Sequence, residues 1–288
     1  MGIRWACVLA SIASLALSGC VEDSVVITPL AFVVAGADIP ELTRDDVTGE
    51  ELGVGLNLDG VVSDGTGFDC TGHLDFVSPV TGTPGVDNQF AAYSVGVLGG
   101  ALGPEGFAGA VSAQIVSGAP LLVLEVTGVE SLAWDGEVSV HAFLGHTPSG
   151  DPPRVDATGR VAPGQAFVVD DDLGTSSGTI SSGRLEADIA RFPVRFELDG
   201  MPFELPLTSA RFSADIDRTA LTNGEVGGSL RVDDTPAALA WLLRWGEIVE
   251  PGVLWDGHPD LELDPVSGQC LAISTGLVFD AVSATVAR

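Results

Sequence analysis

Apolar and polar residues alternate along much of the second half of the chain. In the run EVSVHAFL at 137–144 every even-numbered residue is apolar, which predicts a strand with one buried face. The run LLVLEV at 121–126 is almost continuously apolar and suits a central strand. Further strands are predicted at 25–34, 166–169, 183–189, 194–198, 203–207, 210–216, 228–232, 271–273 and 276–282.

Turn residues separate these strands. Asp199-Gly200 predicts a tight hairpin, because both positions tolerate positive φ. Asn223-Gly224 predicts a second turn of the same kind. The polar stretch 174–183 predicts a flexible hairpin loop.

Short helices interrupt the strands. The apolar spacing places them at 87–98, 105–117 and 235–245. Asp87 and Thr235 fit the N-caps of the first and third helices, and Gly118 fits the C-cap of the second. Many antiparallel strands with few helices predict a mainly β protein. We expect an antiparallel β-sandwich with a few short helices covering an edge or an end.

The first residues show a pattern typical of export. Arg4 precedes an apolar run of about a dozen residues, shorter than the roughly 20 that a membrane-spanning helix needs. Leu17-Ser18-Gly19-Cys20 closes the run and resembles the lipobox of bacterial lipoprotein signal peptides. This resemblance implies cleavage before Cys20 and lipid chains on its sulfur, which anchor the protein to the membrane. The alternative is an ordinary secretory signal that a cysteine happens to follow.

These features divide the chain into three segments. They are a signal peptide at 1–19, a lipid anchor, tether and first apolar strand at 20–52, and a single β-rich domain at 53–288. Val21 stands where an aspartate would favour retention in the inner membrane. We therefore expect an outer-membrane lipoprotein that faces the periplasm or the cell surface.

The charge of the chain excludes some partners. It carries 40 acidic and 12 basic residues, a formal net charge of −28, and no lysine. Such a surface repels phosphate backbones and anionic headgroups, so nucleic acid is excluded as a partner. Acidic charge also keeps a valine-rich β protein soluble. The remaining expected contacts are the membrane, through the lipid anchor, and an unknown protein or glycan.

Two cysteines follow Cys20, at positions 70 and 270. In an exported chain, such a pair predicts a disulfide bond between Cys70 and Cys270. This bond would bring the beginning and the end of the domain together. A zinc site formed by Cys70, His73, His258 and Cys270 is the alternative.

An aspartate-rich stretch suggests a cation site. Irregular Asp/Gly loops supply the oxygens that calcium prefers, although ordinary turns use the same residues. The stretch does not match an EF-hand loop. The candidate calcium ligands are Asp59, Asp64, Asp69, Asp75 and Asp87.

Two further patterns resemble sites that bind or react with a ligand. Trp245 and Trp255 are candidates for stacking against a ligand, although tryptophans more often pack a helix onto a sheet. The string GTSSG at 174–178 matches a nucleophile elbow, but the sequence predicts no helix after it. No catalytic residue is therefore predicted, and no cofactor is expected except possible calcium.

Two longer stretches carry a family resemblance. The run DGVVSDG at 59–65, continued through Cys70 to GVDNQ at 85–89, resembles uncharacterised acidic lipoproteins of high-GC Gram-negative bacteria. The ending CLAIS at 270–274, through Phe279, resembles them too. The resemblance implies an exported, surface-anchored domain with paired cysteines, and it implies no activity.

The sequence therefore favours a lipid-anchored, non-catalytic protein of the cell envelope with a binding or structural role. The alternatives are a hydrolase that acts on polysaccharide and a calcium-dependent adhesin. A cleft lined by two close carboxylates and a tryptophan would favour the hydrolase.

Overall fold

Long strands dominate this computed structural model, which describes residues 29–67, 70–91, 106–198, 201–231 and 259–288. The strands are β1 (Leu30–Asp38), β2 (Thr43–Arg44), β3 (Glu51–Leu52), β4 (Phe76–Val77), β5 (Pro84–Val86), β6 (Leu121–Thr127), β7 (Trp134–His146), β8 (Gln165–Ser181), β9 (Arg184–Leu198), β10 (Met201–Ile216), β11 (Ala220–Arg231), β12 (Leu261–Leu263) and β13 (Cys270–Ala287). Within these described ranges an α-helix, α1, spans Gly106–Ser117, and a 3-10 helix spans Cys70–Gly72.

Eight of these strands form a closed antiparallel barrel. They pair in the order β1, β6, β7, β8, β9, β10, β11 and β13, and β13 then pairs with β1. Ala31 lies opposite Ala284 in the closing pair. The start of β8 also pairs with the end of β13, in parallel, and β12 adds to the beginning of β13.

The predicted β-sandwich is therefore wrong, although the mainly β prediction is confirmed. A sandwich consists of two sheets with free edges, whereas here the first and last barrel strands pair with each other. Closure satisfies the backbone groups that an edge strand would leave unpaired. Alternation along a strand indicates its buried face but does not indicate its neighbour.

Side chains from all eight barrel strands and from α1 form one hydrophobic core. Phe32, Leu207, Phe212 and Leu221 are among its fully buried members. Each buried side chain of this size stabilises the fold by roughly 1.5–3 kcal/mol. The barrel is thus filled by its own side chains.

Helix α1 packs against β1 and β9 and confirms the second predicted helix. Its apolar face contributes Phe107, Val111 and Ile115 to the core, and Gly118 follows it with a φ of 80°. The Asp38 carboxylate at the end of β1 accepts a hydrogen bond from the Ala108 amide. Burial raises the pKa of that carboxyl.

An apolar cavity of about 50 Å³ lies beside α1. Val34, Val111 and Phe192 are among the residues that line it. Ligand pockets usually measure about 300–1,000 Å³, so this cavity is too small for a ligand of ordinary size.

The turn predicted at Asn223-Gly224 was wrong. Asn223-Gly224 lies within β11, at a break in its register with β13, and Asn223 has a φ of 49°. A bulge uses the same positive φ as a turn. The actual turn from β10 to β11 is at 217–219, where the Asp217 carboxylate accepts amide hydrogen bonds from Thr219 and Ala220.

The predicted loop at 174–183 is also mostly strand, since β8 runs to Ser181 and the turn follows it. Its polar residues lie on a barrel strand that is paired with β7 and β9. The hairpin predicted at Asp199-Gly200 joins β9 and β10, which pair from Leu198 and Met201 onwards. Residues 199–200 themselves lie outside the described residues, as do the third predicted helix and most of the first.

A second, small sheet contains β2, β3, β4 and β5 in that order. It precedes α1 in the chain. In the described parts of the chain, no helix is long and apolar enough to cross a membrane.

Candidate functional site

Residues 53–67 and 70–91, here called the cover segment, lie against the outer face of β11 and β13. Leu277 belongs to the barrel core, so its neighbour Gly276 faces outwards. A Cβ atom on Gly276 would lie 2.0 Å from the Val54 carbonyl oxygen. A Cβ on Gly227 would lie 3.1 Å from the Leu56 nitrogen. Glycine at these two positions lets the cover backbone lie directly on the strands.

Asn88 fastens the cover segment to the barrel. Its Nδ2 donates to the Val54 carbonyl at 2.7 Å and to the Gly276 carbonyl at 3.3 Å. Its Oδ1 accepts a hydrogen bond from the Ala91 amide at 3.1 Å. Asn88, and not the predicted Asp87, therefore caps the helical turn that begins at Gln89.

The Asp87 carboxylate belongs to the cover segment and is buried, with 3% of the residue exposed. Its Oδ2 accepts a hydrogen bond from the Leu58 amide at 2.5 Å. Burial raises the pKa of Asp87 to about 7. The negative charges of Asp59, Asp75 and Asp260 raise this pKa further, and the bond from Leu58 opposes the rise.

Asp260 is the second buried carboxylate, with 4% of the residue exposed. It accepts hydrogen bonds from the Ser274 hydroxyl at 2.5 Å and from the Ser274 amide at 2.7 Å. The Ser274 oxygen in turn accepts a hydrogen bond from the Gln89 amide at 2.8 Å. Burial raises the pKa of Asp260 to about 6, and the hydrogen bonds from Ser274 limit the rise.

Glu225 on β11 is the third buried carboxylate, and it has no exposed surface. The Ser78 hydroxyl of the cover segment donates to its Oε1 at 2.8 Å. Arg184 Nη2 lies 3.4 Å from its Oε2. Burial raises the pKa of Glu225, whereas the bond from Ser78 and the charge of Arg184 lower it.

We call Asp87, Glu225 and Asp260 the buried carboxylate layer. Perturbed carboxyl groups often mark functional sites, but this layer is closed by the cover segment. Its members accept hydrogen bonds from nearby amides and hydroxyls. A substrate cannot reach them in this arrangement. Glu225, and Asp260 through Ser274, connect the cover segment to the barrel, whereas Asp87 fixes the Leu58 backbone within the cover segment.

The structure brings three of the predicted calcium ligands near one another. The Asp75 and Asp87 side chains share a hydrogen bond, and the negative charge of Asp59 raises the pKa of both. Each of the described candidates also accepts a hydrogen bond from a nearby backbone amide. Asp59 accepts a hydrogen bond from the Val61 amide, Asp64 from Thr66, and Asp75 from the Ser63 amide. Hydrogen bonds from Thr66 lower the pKa of Asp64, and burial raises the pKa of Asp75.

Asp69, the remaining candidate of that set, lies outside the described residues. Among the residues that are described, no three His, Cys, Asp or Glu side chains are grouped so that they could hold a metal ion. The calcium site therefore stays a prediction.

The predicted disulfide between Cys70 and Cys270 is confirmed. It joins the 3-10 helix of the cover segment to the first residue of β13. The zinc alternative is wrong, because both of its thiolates are used in this bond. Cys20, Trp245 and Trp255 lie outside the described residues, so their predicted roles stay predictions.

An open groove of about 480 Å³ lies on the outer face of β7, β8 and β9. Its polar lining residues are Glu137, Ser177, Thr179, Glu186, Asp188 and Arg211. Arg211 Nε donates to Asp188 Oδ1 at 3.1 Å, and its Nη1 donates to the Asn57 carbonyl at 3.3 Å. Arg211 therefore links the groove to the neighbouring cover segment.

Sequence reasoning missed the groove because it treated Ser177 and Thr179 as loop residues. Their spacing of two was a usable signal, since strand residues two apart share a face. Glu186 lies opposite Thr179 in the β8–β9 pair, so both side chains project from the same face. The concave shape could not be read from the alternation.

No protein-family model, curated protein or solved structure matches this chain.

Proposed function

We propose that this chain is a lipid-anchored, non-catalytic protein of the cell envelope that binds a partner outside the cytosol. Anchoring would use Cys20, and the outer membrane, facing the periplasm or the cell surface, is the proposed location. The proposed partners are the membrane, through the lipid, and a glycan or protein. The barrel would serve as a rigid body that presents its outer face.

The Cys70–Cys270 disulfide is the observation that carries this proposal. Disulfides persist in oxidising compartments and are rare in the cytosol. The bond fits the lipobox-like Leu17-Ser18-Gly19-Cys20, because both features favour export. The acidic surface favours solubility in such a compartment.

The carboxyl groups support binding more than catalysis. Those with strongly raised pKa values, Asp87 and Asp260, are enclosed and hydrogen-bonded. Those in the groove are open to solvent, and Asp188 is paired with Arg211. A general acid needs a dry or charge-coupled environment, which this open groove does not supply.

A polysaccharide hydrolase is the second candidate, and the groove is the observation that favours it. Glu137, Glu186 and Asp188 line this groove, and a glycosidase needs two carboxyl groups. Release of reducing sugar from neutral polysaccharides would test it. Release that is lost in the double variant Glu137→Gln/Glu186→Gln would establish hydrolysis, and no release above buffer would support binding.

Mass spectrometry of the protein from its native cell tests the main proposal. We expect a chain that begins at Cys20, carries the mass of the lipid chains and retains the disulfide. The protein should remain with membranes after a carbonate wash, whereas the Cys20→Ser variant should not. A retained leader, an unmodified Cys20 or free thiols at positions 70 and 270 would overturn the proposal.

A further inference from the structure

We propose that the groove on β7, β8 and β9, together with the exposed ring of Trp134, binds a neutral oligosaccharide. This inference specifies the ligand class for the binding role proposed above and rests on that role. Tryptophan rings present an apolar face to the C–H groups of a sugar, and polar side chains beside the ring bind its hydroxyls. Both elements occur together here.

Trp134 is an unusual surface residue, because 65% of it is exposed. It lies opposite Ser181 in the β7–β8 pair, and Ser181 is two residues from Thr179 in the groove. At a rise of about 3.3 Å per residue, this spacing places Trp134 about 7 Å from the end of the groove. A sugar unit on the ring would therefore be continuous with units in the groove.

The backbone on both sides of Trp134 is held in place. The Trp134 amide donates to the Ser131 hydroxyl oxygen at 3.3 Å, and the Gly183 amide donates to the Ala133 carbonyl at 3.1 Å. The Asp135 carboxylate accepts a hydrogen bond from the Glu130 amide at 2.7 Å. A ring on a fixed backbone loses little conformational freedom when it binds, which favours affinity.

The groove itself combines a low floor with polar walls. Gly136 lines it without a side chain, and Gly178 and Ala187, which face the core, border it with backbone only, so a flat ligand can lie close to the sheet there. The hydroxyl groups of Ser177 and Thr179 can donate and accept hydrogen bonds. The carboxylates of Glu137 and Glu186 can accept hydrogen bonds from the hydroxyl groups of a sugar.

Charge selects among the classes of oligosaccharide. Three carboxylates and one guanidinium line the groove, and the whole chain has a formal charge of −28. An anionic glycan would be repelled by this field. A neutral chain has no such penalty and can still use the hydroxyl and carboxylate partners.

Isothermal titration calorimetry with the purified full chain tests whether the groove binds a neutral oligosaccharide. The probes are hexamers of glucose, mannose, galactose and N-acetylglucosamine, with hexagalacturonate as the anionic comparison. We expect at least one neutral hexamer to bind and hexagalacturonate not to bind. Binding of no neutral hexamer would overturn the inference, as would tighter binding of the anionic one. Binding of an oligolysine peptide in their place would assign the groove to a cationic polypeptide.

Variants locate the binding site. Trp134→Ala should weaken binding of the neutral hexamer at least tenfold, and Glu186→Gln should weaken it severalfold. Val266→Ala, at a residue that is 94% exposed, is the matched control and should bind like the parent. Thermal unfolding of each variant reports folding separately. Unchanged affinity in a folded Trp134→Ala variant would remove Trp134 from the site.

The two proposals fail in different ways. Loss of glycan binding would leave the mass and membrane location of the native protein unchanged. A cytosolic, unlipidated chain that still binds a neutral hexamer would overturn the envelope proposal and keep the groove assignment.

Discussion

The buried carboxylate layer and the open groove use similar side chains on the outer face of the same barrel, but their surroundings differ. In the layer, the cover segment excludes water, and Glu225 has no exposed surface. In the groove, the side chain of Asp188 is 75% exposed. The covering backbone, and not the residue type, therefore decides whether a carboxylate on this barrel stabilises the fold or can contact a ligand.

The disulfide offers the largest test of this difference. Replacing both Cys70 and Cys270 by serine releases a loop that spans 200 positions. The chain-entropy model gives an upper estimate of about 5 kcal/mol for such a loop. We expect urea unfolding, without reductant, to show a loss of several kcal/mol. An unchanged midpoint would mean that the cover segment is held without the bond.

The pH dependence of stability tests the layer directly. The pKa of Asp87 rises from 3.8 to about 7 on folding, so the folded state binds the extra proton. Its contribution is complete below about pH 4 and is lost as the pH rises through about 7. We expect Asp87 to lower the free energy of unfolding by about 2–3 kcal/mol between pH 5 and pH 8, and Asp260, with a pKa of about 6, to add a smaller decrease.

Asp87→Asn should remove most of this pH dependence, because an amide does not titrate. Asp188→Asn, in the groove, is the matched control and should keep the full slope. Urea titrations at several pH values measure both variants. Parallel slopes in the parent and in Asp87→Asn would contradict the role of the layer.

Two glycines, one under the cover segment and one in the groove, differ in the space around them. A Cβ on Gly276 would meet the Val54 carbonyl oxygen, whereas a Cβ on Gly136, in the groove, has no atom within 4 Å. Gly276→Ala should therefore cost about 1–3 kcal/mol by forcing the cover segment away from β13. Gly136→Ala should change stability by less than about 0.5 kcal/mol. Equal thermal midpoints in the two variants would show that the cover segment yields without cost.

Calcium gives the smallest expected effect. Asp59, Asp64, Asp75 and Asp87 already accept amide hydrogen bonds from neighbouring residues. A ligand raises the thermal midpoint of unfolding only if it binds the folded protein. We expect the midpoints with calcium and with chelator to lie within about 1 °C of each other. A clear rise with calcium would show that Asp69 completes the predicted site and would favour the adhesin alternative.

Local patterns predicted much of the secondary structure. The alternation at 137–144 and the apolar spacing around Val111 identified β7 and α1, because each depends on residues close in the chain. The same local reasoning failed at Asn223-Gly224. A positive φ serves a bulge and a turn equally, and only the pairing with β13 separates them.

The candidate sites were less accessible to sequence reasoning. The acidic stretch was identified as a candidate calcium site, which stays a prediction, but the burial of Asp87 was not foreseen. Asp260 is far from the aspartates of this stretch in the sequence and lies near them only in the folded chain. Ser274 of β13 forms hydrogen bonds with both Asp260 and Gln89. Trp134 was not identified from the sequence, because no pattern of neighbouring residues indicates that its ring is exposed.

The mainly β character, the cysteine pair and the strong negative charge could all be read from the amino-acid sequence. Each of these follows from residue type or from spacing along the chain. The tertiary structure alone decided the barrel, the burial of the carboxylates and the groove. These depend on contacts between distant residues, such as Ala31 with Ala284 and Asn88 with Gly276, which no local pattern encodes.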